Sequence, residues 1–346
     1  MKRNVLSAAV LLAATLAASG AAVAQTPTLY LGSYGGSTEK LFKEKIIPAF
    51  EAKHKAKIVY VAGNSTDTLA KLQAQKAAPE LDVVLVDDGP MYQAMQFGFC
   101  DKVADAPIYK DLYPFAKLGD TATAVGVVAT GLMYNTEAFK KLGLPAPDSW
   151  TILTDKKFSQ KIVIPPISNT YGLQTLVKFA ELNGGNAKNI DPGFNAIIKQ
   201  VNPNVLAWEP SPGKMTELLQ NGDAILGVWG SGRVQALKET GFPVEFVFPK
   251  EGAPALMIAA CPVVKSDVPE LSQQFIQYLL TPEVQADLAA SQGFGPVNRT
   301  AKLEPAVAAK VPYGEAQVSK LQASDWDTIN TQRTDWTNRW NRTVER

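Results

Sequence analysis

The chain has 346 residues, with 34 Lys and Arg against 33 Asp and Glu and a formal net charge of +1. That balance argues against a nucleic-acid partner or an anionic membrane surface, both of which call for a basic face. His54 is the single histidine, so a Ser-His-Asp triad or a histidine-built metal site has almost no material. No GxSxG, HExxH or GxxxxGK[ST] motif occurs.

Residues 1–24 combine a positive start, Lys2 and Arg3, with an alanine-rich apolar run and the small-x-small site Ala22-Val23-Ala24 ahead of Gln25. This is the layout of a cleavable secretory signal. The mature chain expected from it begins at or near Gln25 and is long enough for two domains. No later window offers the roughly 18–20 apolar residues needed to span a bilayer.

Thr28–Ser33 reads as a strand. The spacing of Leu41, Phe42, Ile46, Ile47 and Phe50 predicts a helix over 39–54 despite Pro48. Lys57–Ala62 is a second strand, and the polar turn after it offers Ser65 or Thr66 as N-cap of a helix over 69–75. The apolar run 82–86 predicts a parallel strand covered on both faces, leading into Asp87-Asp88-Gly89-Pro90 and another helix. Strand and helix alternate, so the class is α/β with a mainly parallel sheet. Ligands of such sheets bind at the carboxyl ends of strands. Tyr34-Gly35-Gly36, Asn64-Ser65-Thr66 and Asp87-Asp88 are therefore expected on one rim.

A second α/β pattern begins near Gly126. Strands are expected over 125–135, 161–164, 223–229 and 244–248, and the polar loop Ser168-Asn169-Thr170-Tyr171 follows the second of these. The alternating stretch 256–264 looks like a return to the first unit, followed by a helix over 271–280. The segment from Ser324 carries Trp326, Trp336 and Trp340 and is expected to pack as helix. Cys100 and Cys261 form either a disulfide or two separate buried thiols. There is no CxxC pair, which disfavours a redox enzyme.

The ordered set YLGSYGG–IIPAFEAKH, DVVLVDD–MQFGF, VVATGLMYN, SWTILTDKKFSQKIVIP, GDAILGVWGSGRVQALKETGFPVEFVFPKEGA and FIQYLLTPEVQADLAASQGFGPVN resembles the spermidine/putrescine-type branch of periplasmic solute-binding proteins. The resemblance covers essentially the whole mature chain. It implies a type II, two-lobed Venus-flytrap fold, free in the periplasm as a monomer, without cofactor or metal, delivering a small solute to the permease of an ABC importer. On that pattern residues 1–24 are the signal, 25–125 plus 256–315 one lobe, 126–255 the other, and 316–346 a helical segment packing on a lobe.

The same resemblance puts Trp229 and Tyr34 in the place of pocket aromatics. Glycines on either side of Ser231 suit a backbone that approaches something closely, and Gly35 and Gly36 leave N–H groups open at a helix start. Asp87 and Asp88 are candidates to meet an ammonium group or to cap a helix. Arg233 is a candidate clamp for a carboxylate or phosphonate, or a residue of an outer helix face. Ser65 and Thr66 from the first unit, and Ser168, Thr170 and Tyr171 from the second, complete the candidate lining.

Two departures bear on the solute. Polyamine binders carry acidic residues where this chain has Ser168-Asn169-Thr170-Tyr171, and Trp-Met-Asp where it has Leu256-Met257-Ile258. A buried ammonium without carboxylate partners is costly. The reading that follows is a small amino acid-like or anionic organic solute, with a polyamine as the alternative. Ferric-iron binding and a hydrolase using Asp87 and Asp88 stand further off.

Overall fold

Val83, Val84, Leu85 and Val86 are each at most 3% exposed, the burial that an unbroken apolar strand needs on both of its faces. Around such strands the computed structural model describes residues 26–318 and 321–345; the signal-like segment 1–24 lies outside the described residues. In chain order the strands are β1 (Thr28–Ser33), β2 (Lys57–Ala62), β3 (Val83–Asp87), β4 (Lys117–Leu118), β5 (Ala122–Asn135) and β6 (Ile162–Ile164). They continue with β7 (Val205–Trp208), β8 (Leu226–Gly230), β9 (Val244–Val247), β10 (Ala253–Pro262) and β11 (Leu321–Gln322).

The strands follow the order β2-β1-β3-β10-β5-β8-β6-β7. β1 is parallel to β2 and β3, and β6 is parallel to β7 and β8. Two parallel groups result, joined through the antiparallel pair β5 and β10. β5 changes partners along its length: Thr123 to Ala129 pair with β10, and Thr130 to Asn135 with β8 and β9. The passage from one unit to the other thus falls at Ala129-Thr130, a few residues beyond the expected boundary. β7 was not anticipated.

Local chemistry explains the helices that flank the cleft. Residues 37–54 are helical throughout, but Phe42–Ile46 form a wider π turn directly before Pro48, which has no N–H to close an ordinary turn. The helix Ser65–Ala74 is capped by Asn64, not by Ser65 or Thr66. Asn64 Oδ1 accepts from Asp67 N at 2.8 Å, and Asp67 accepts in return from Asn64 N. Ser65 is unavailable as a cap because its Oγ accepts from Asp87 N at 3.0 Å.

The C-terminal helix Trp326–Thr343 packs on both units rather than on one. Asn330 Nδ2 donates to Gly89 O, and Gln96 Nε2 to Asp327, on the first. Trp340 meets Trp208 edge-on at 4.7 Å and Phe194 at 6.4 Å on the second.

Cys100 and Cys261 are disulfide-bonded, with Cα atoms 5.6 Å apart and a separation of 161 positions in sequence. A loop that long loses much of its freedom in the unfolded chain when cross-linked. The double variant Cys100→Ser/Cys261→Ser is expected to lose about 3–5 kcal/mol, read as a lower urea midpoint; an unchanged midpoint would show that the bridge is neutral to stability.

Candidate functional site

Because β1, β2 and β3 run in parallel, their carboxyl ends deliver Tyr34, the turn at Asn64 and Asp87 to one edge of the sheet. β6 and β8 bring the loop at Ser168 and the helix Ser231–Glu239 to the facing edge. Between them lies a cavity of about 380 Å³. Tyr34, Ser65, Thr66, Asp87, Ser168, Thr170, Tyr171 and Arg233 all line it. A smaller cavity of about 60 Å³ adjoins it and is lined by Ser37, Thr38, Gln292 and Phe294. Tyr34, Asp87, Tyr171 and Arg233 are common to both, so these four stand at the partition.

Asp87 is the centre of this set. Its Oδ1 accepts from Tyr34 Oη at 2.8 Å and its Oδ2 from Thr170 Oγ1 at 3.2 Å. The second bond crosses from one edge to the other. Burial pushes the Asp87 carboxyl above its usual range, opposed by Tyr34, Thr170, the Arg233 guanidinium and Ser65. Burial also holds the Tyr34 phenol well above its ordinary value, reinforced by the Asp87 charge. The Tyr171 phenol is pushed up to about 12 by burial, against the lowering effect of Arg233. Both phenols are therefore neutral donors.

Contact across the cleft is close elsewhere too. A Cβ on Gly232 would lie 2.5 Å from Gln292 O across the cleft, and within the second unit one on Gly230 would lie 2.3 Å from Tyr171 Oη. Glycine is required at both places by what presses against them.

Five of the residues predicted from sequence sit elsewhere. Gly35 and Gly36 are exposed and line neither cavity. Trp229 is 3% exposed and packs among Met133, Val163, Met215 and Leu219 in the core of the second unit; all of β8 is buried, leaving its indole no open side. Ser231 Oγ accepts from Ala129 N at 3.1 Å, fixing the point where β5 changes partners. Asp88 is fully buried and turned beneath its helix, with Oδ1 accepting from Gly89 N at 3.0 Å and Oδ2 unpartnered.

Asn64 and Asn169, expected on the rim turns but not among the candidate lining, cap their helices at the cavity rim; the residue missed from sequence is Arg333. This arginine comes from the C-terminal helix and lines the larger cavity. The capping asparagines carried a sequence signal, a polar residue just before a helix; Arg333 carried none.

A cleft between two sheet-centred lobes, rimmed by helix starts and hydroxyl groups, defines a protein that encloses a small molecule. Residues 45–313 match the family of bacterial extracellular solute-binding proteins, and the chain belongs to that family. The Haemophilus influenzae relative, an uncharacterised protein, is 29% identical over 262 residues, 73% of each chain. Among solved structures, an ABC transporter protein of Clostridium perfringens is 24% identical, with a TM-score of 0.77 over 91% of this chain and 99% of that one. AfuA of Actinobacillus pleuropneumoniae, solved with fructose 6-phosphate bound, is 22% identical, with a TM-score of 0.75 over 92% and 99%. The Atu4243-GABA receptor is 19% identical, with a TM-score of 0.75 over 91% and 96%. The fold is that of type II periplasmic binding proteins, and members of the family act outside the cytoplasm, handing small molecules to ABC permeases.

Two outcomes follow from these placements. Trp229→Ala is expected to cost about 3–5 kcal/mol of stability, while Trp229→Phe keeps solute affinity within about twofold, since the indole is core and not pocket; a stable Ala variant with lost affinity would reverse that assignment. Burial raises the Asp88 carboxyl from 3.8 to about 7, and the Asp87 charge adds to the rise. The folded state then holds more protons than the unfolded chain between those values, so this contribution is complete at low pH and is lost as pH rises to about 7. In Asp88→Asn the urea midpoint should fall less between about pH 5 and about pH 8 than it does in the wild type; equal slopes would remove Asp88 as the cause.

Proposed function

We propose that this protein is the periplasmic capture component of an ABC importer and that its solute is a small organic anion, of amino acid-like or related type. The observation that carries the reading is Arg233, which stands at the partition of both cavities among donors that are nearly all neutral: tyrosine, serine, threonine and asparagine. The one carboxylate there, Asp87, already accepts from Tyr34 and Thr170 and is left poorly placed to satisfy an ammonium group. A polyamine would need several such carboxylates.

Two structural relatives are named with ligands that carry an anionic group, fructose 6-phosphate and GABA, and that supports the same class. The signal-like start and the Cys100–Cys261 bridge support export to an oxidising compartment. Binding rather than catalysis is the output of this reading, and the chain works as a monomer with its permease.

A thermal-shift screen of amino acids, organic acids, phosphate esters and polyamines tests it. A true ligand at about 100 times its dissociation constant stabilises the folded state by about 2.7 kcal/mol. Arg233→Gln should weaken that ligand roughly 10- to 100-fold, the loss of one charge-assisted hydrogen bond. Stabilisation by spermidine or putrescine, with no response to any anion, would overturn the reading.

A further inference from the structure

We propose that Arg333 is a ligand-contacting specificity residue, and that with Arg233 it builds a site for the dianionic head of a phosphate monoester. The proposal rests on the organic-anion reading above and narrows it to one chemical class.

Arg333 lies midway along a helix pinned at both ends. Trp326 packs against Gly89 so closely that a Cβ there would come within 2.7 Å of the indole. Beyond Arg333, Trp340 packs against Trp208 and Phe194. The guanidinium is thereby carried to the wall of the larger cavity. Its Nη1 is buried and has no hydrogen-bond partner, and Arg333 makes no ion pair within 4 Å among the described residues. A guanidinium nitrogen shut off from water beside a cavity, with no acceptor, is costly unless an acceptor is delivered to it.

Charge decides the class. Two guanidinium groups face one carboxylate, Asp87, whose charge acts on both. The start of the helix Thr170–Leu182, with no acidic residue in its first turn, lines the same cavity and carries about half a positive charge, whereas Asp67 offsets the start of the helix Ser65–Ala74. The balance is about +1.5, which suits a phosphate monoester better than a single carboxylate. Ser168 adds a hydroxyl donor beside it. The cavity is larger than a phosphate group needs, so an organic body fits beside it.

The test is calorimetric titration of the mature chain with fructose 6-phosphate, fructose, inorganic phosphate and GABA. Expected are binding of the phosphate ester at least about 100-fold tighter than of fructose, and an affinity that rises as the phosphate loses its second proton near pH 6. Arg333→Gln should weaken the ester at least about tenfold and flatten that pH dependence, with Arg333→Lys in between. Should the Gln variant fail to fold, the Lys variant alone decides, since loss of the planar fork still predicts weaker binding. Wild-type affinity for the ester in either folded variant overturns the role of Arg333. Binding of GABA without any phosphate compound overturns the phosphate class and leaves the organic-anion reading standing. Failure of every anion, with polyamines binding, overturns both.

Discussion

A half-buried carboxylate at the end of β3 is the constraint on which the cleft depends. Asp87 cannot be solvated as a free carboxylate would be, and its hydrogen bonds replace that solvation: Tyr34 from its own lobe, Thr170 from the other. Ser65 fixes its backbone. With Asp87 in place, Arg233 and Arg333 can both face the cavity without raw mutual repulsion. Each neighbour is thus defined by what it does for that one charge.

The lobes communicate through backbone as well as side chains. β5 and β10 run between the two parallel groups, and the buried Gln174 ties their junction together. Its amide accepts from Thr130 Oγ1 and donates to Ala255 O at 2.6 Å and Ser324 Oγ at 3.0 Å. Direct contacts across the cleft are few, chiefly Thr170 to Asp87 and Gly232 against the Gln292 carbonyl. A solute that touches both walls adds interactions that exist only when the walls are together, and that difference is what shifts the population of closed molecules.

The strands and their polar exits were legible in the sequence because they are local: apolar runs bounded by turns, with parallel spacing. Eight of the thirteen candidate residues line the larger cavity for that reason. The misplaced ones share a different cause. Trp229 lies on a strand buried along its full length, and Ser231 serves a backbone N–H 102 residues away; neither fact is present in the neighbouring letters. Asp87 and Asp88 are adjacent, yet one ends a strand and the other begins a helix, so their side chains part company.

Arg333 is the extreme case of non-local information. It sits in a tryptophan-rich helix whose apolar stripe, Trp326, Ile329, Trp336 and Trp340, announces packing and nothing more. An 18-residue helix is about 27 Å long, enough to reach from Gly89 on one lobe to Trp208 on the other. Fixing both ends fixes what the middle must face, and the middle faces the cavity. Any opening of the cleft must therefore pivot about this helix or unseat one of its tryptophans. The same contacts that deliver the guanidinium thus limit how far it can withdraw, and a charge so tethered acts on the solute in every state that keeps both anchors.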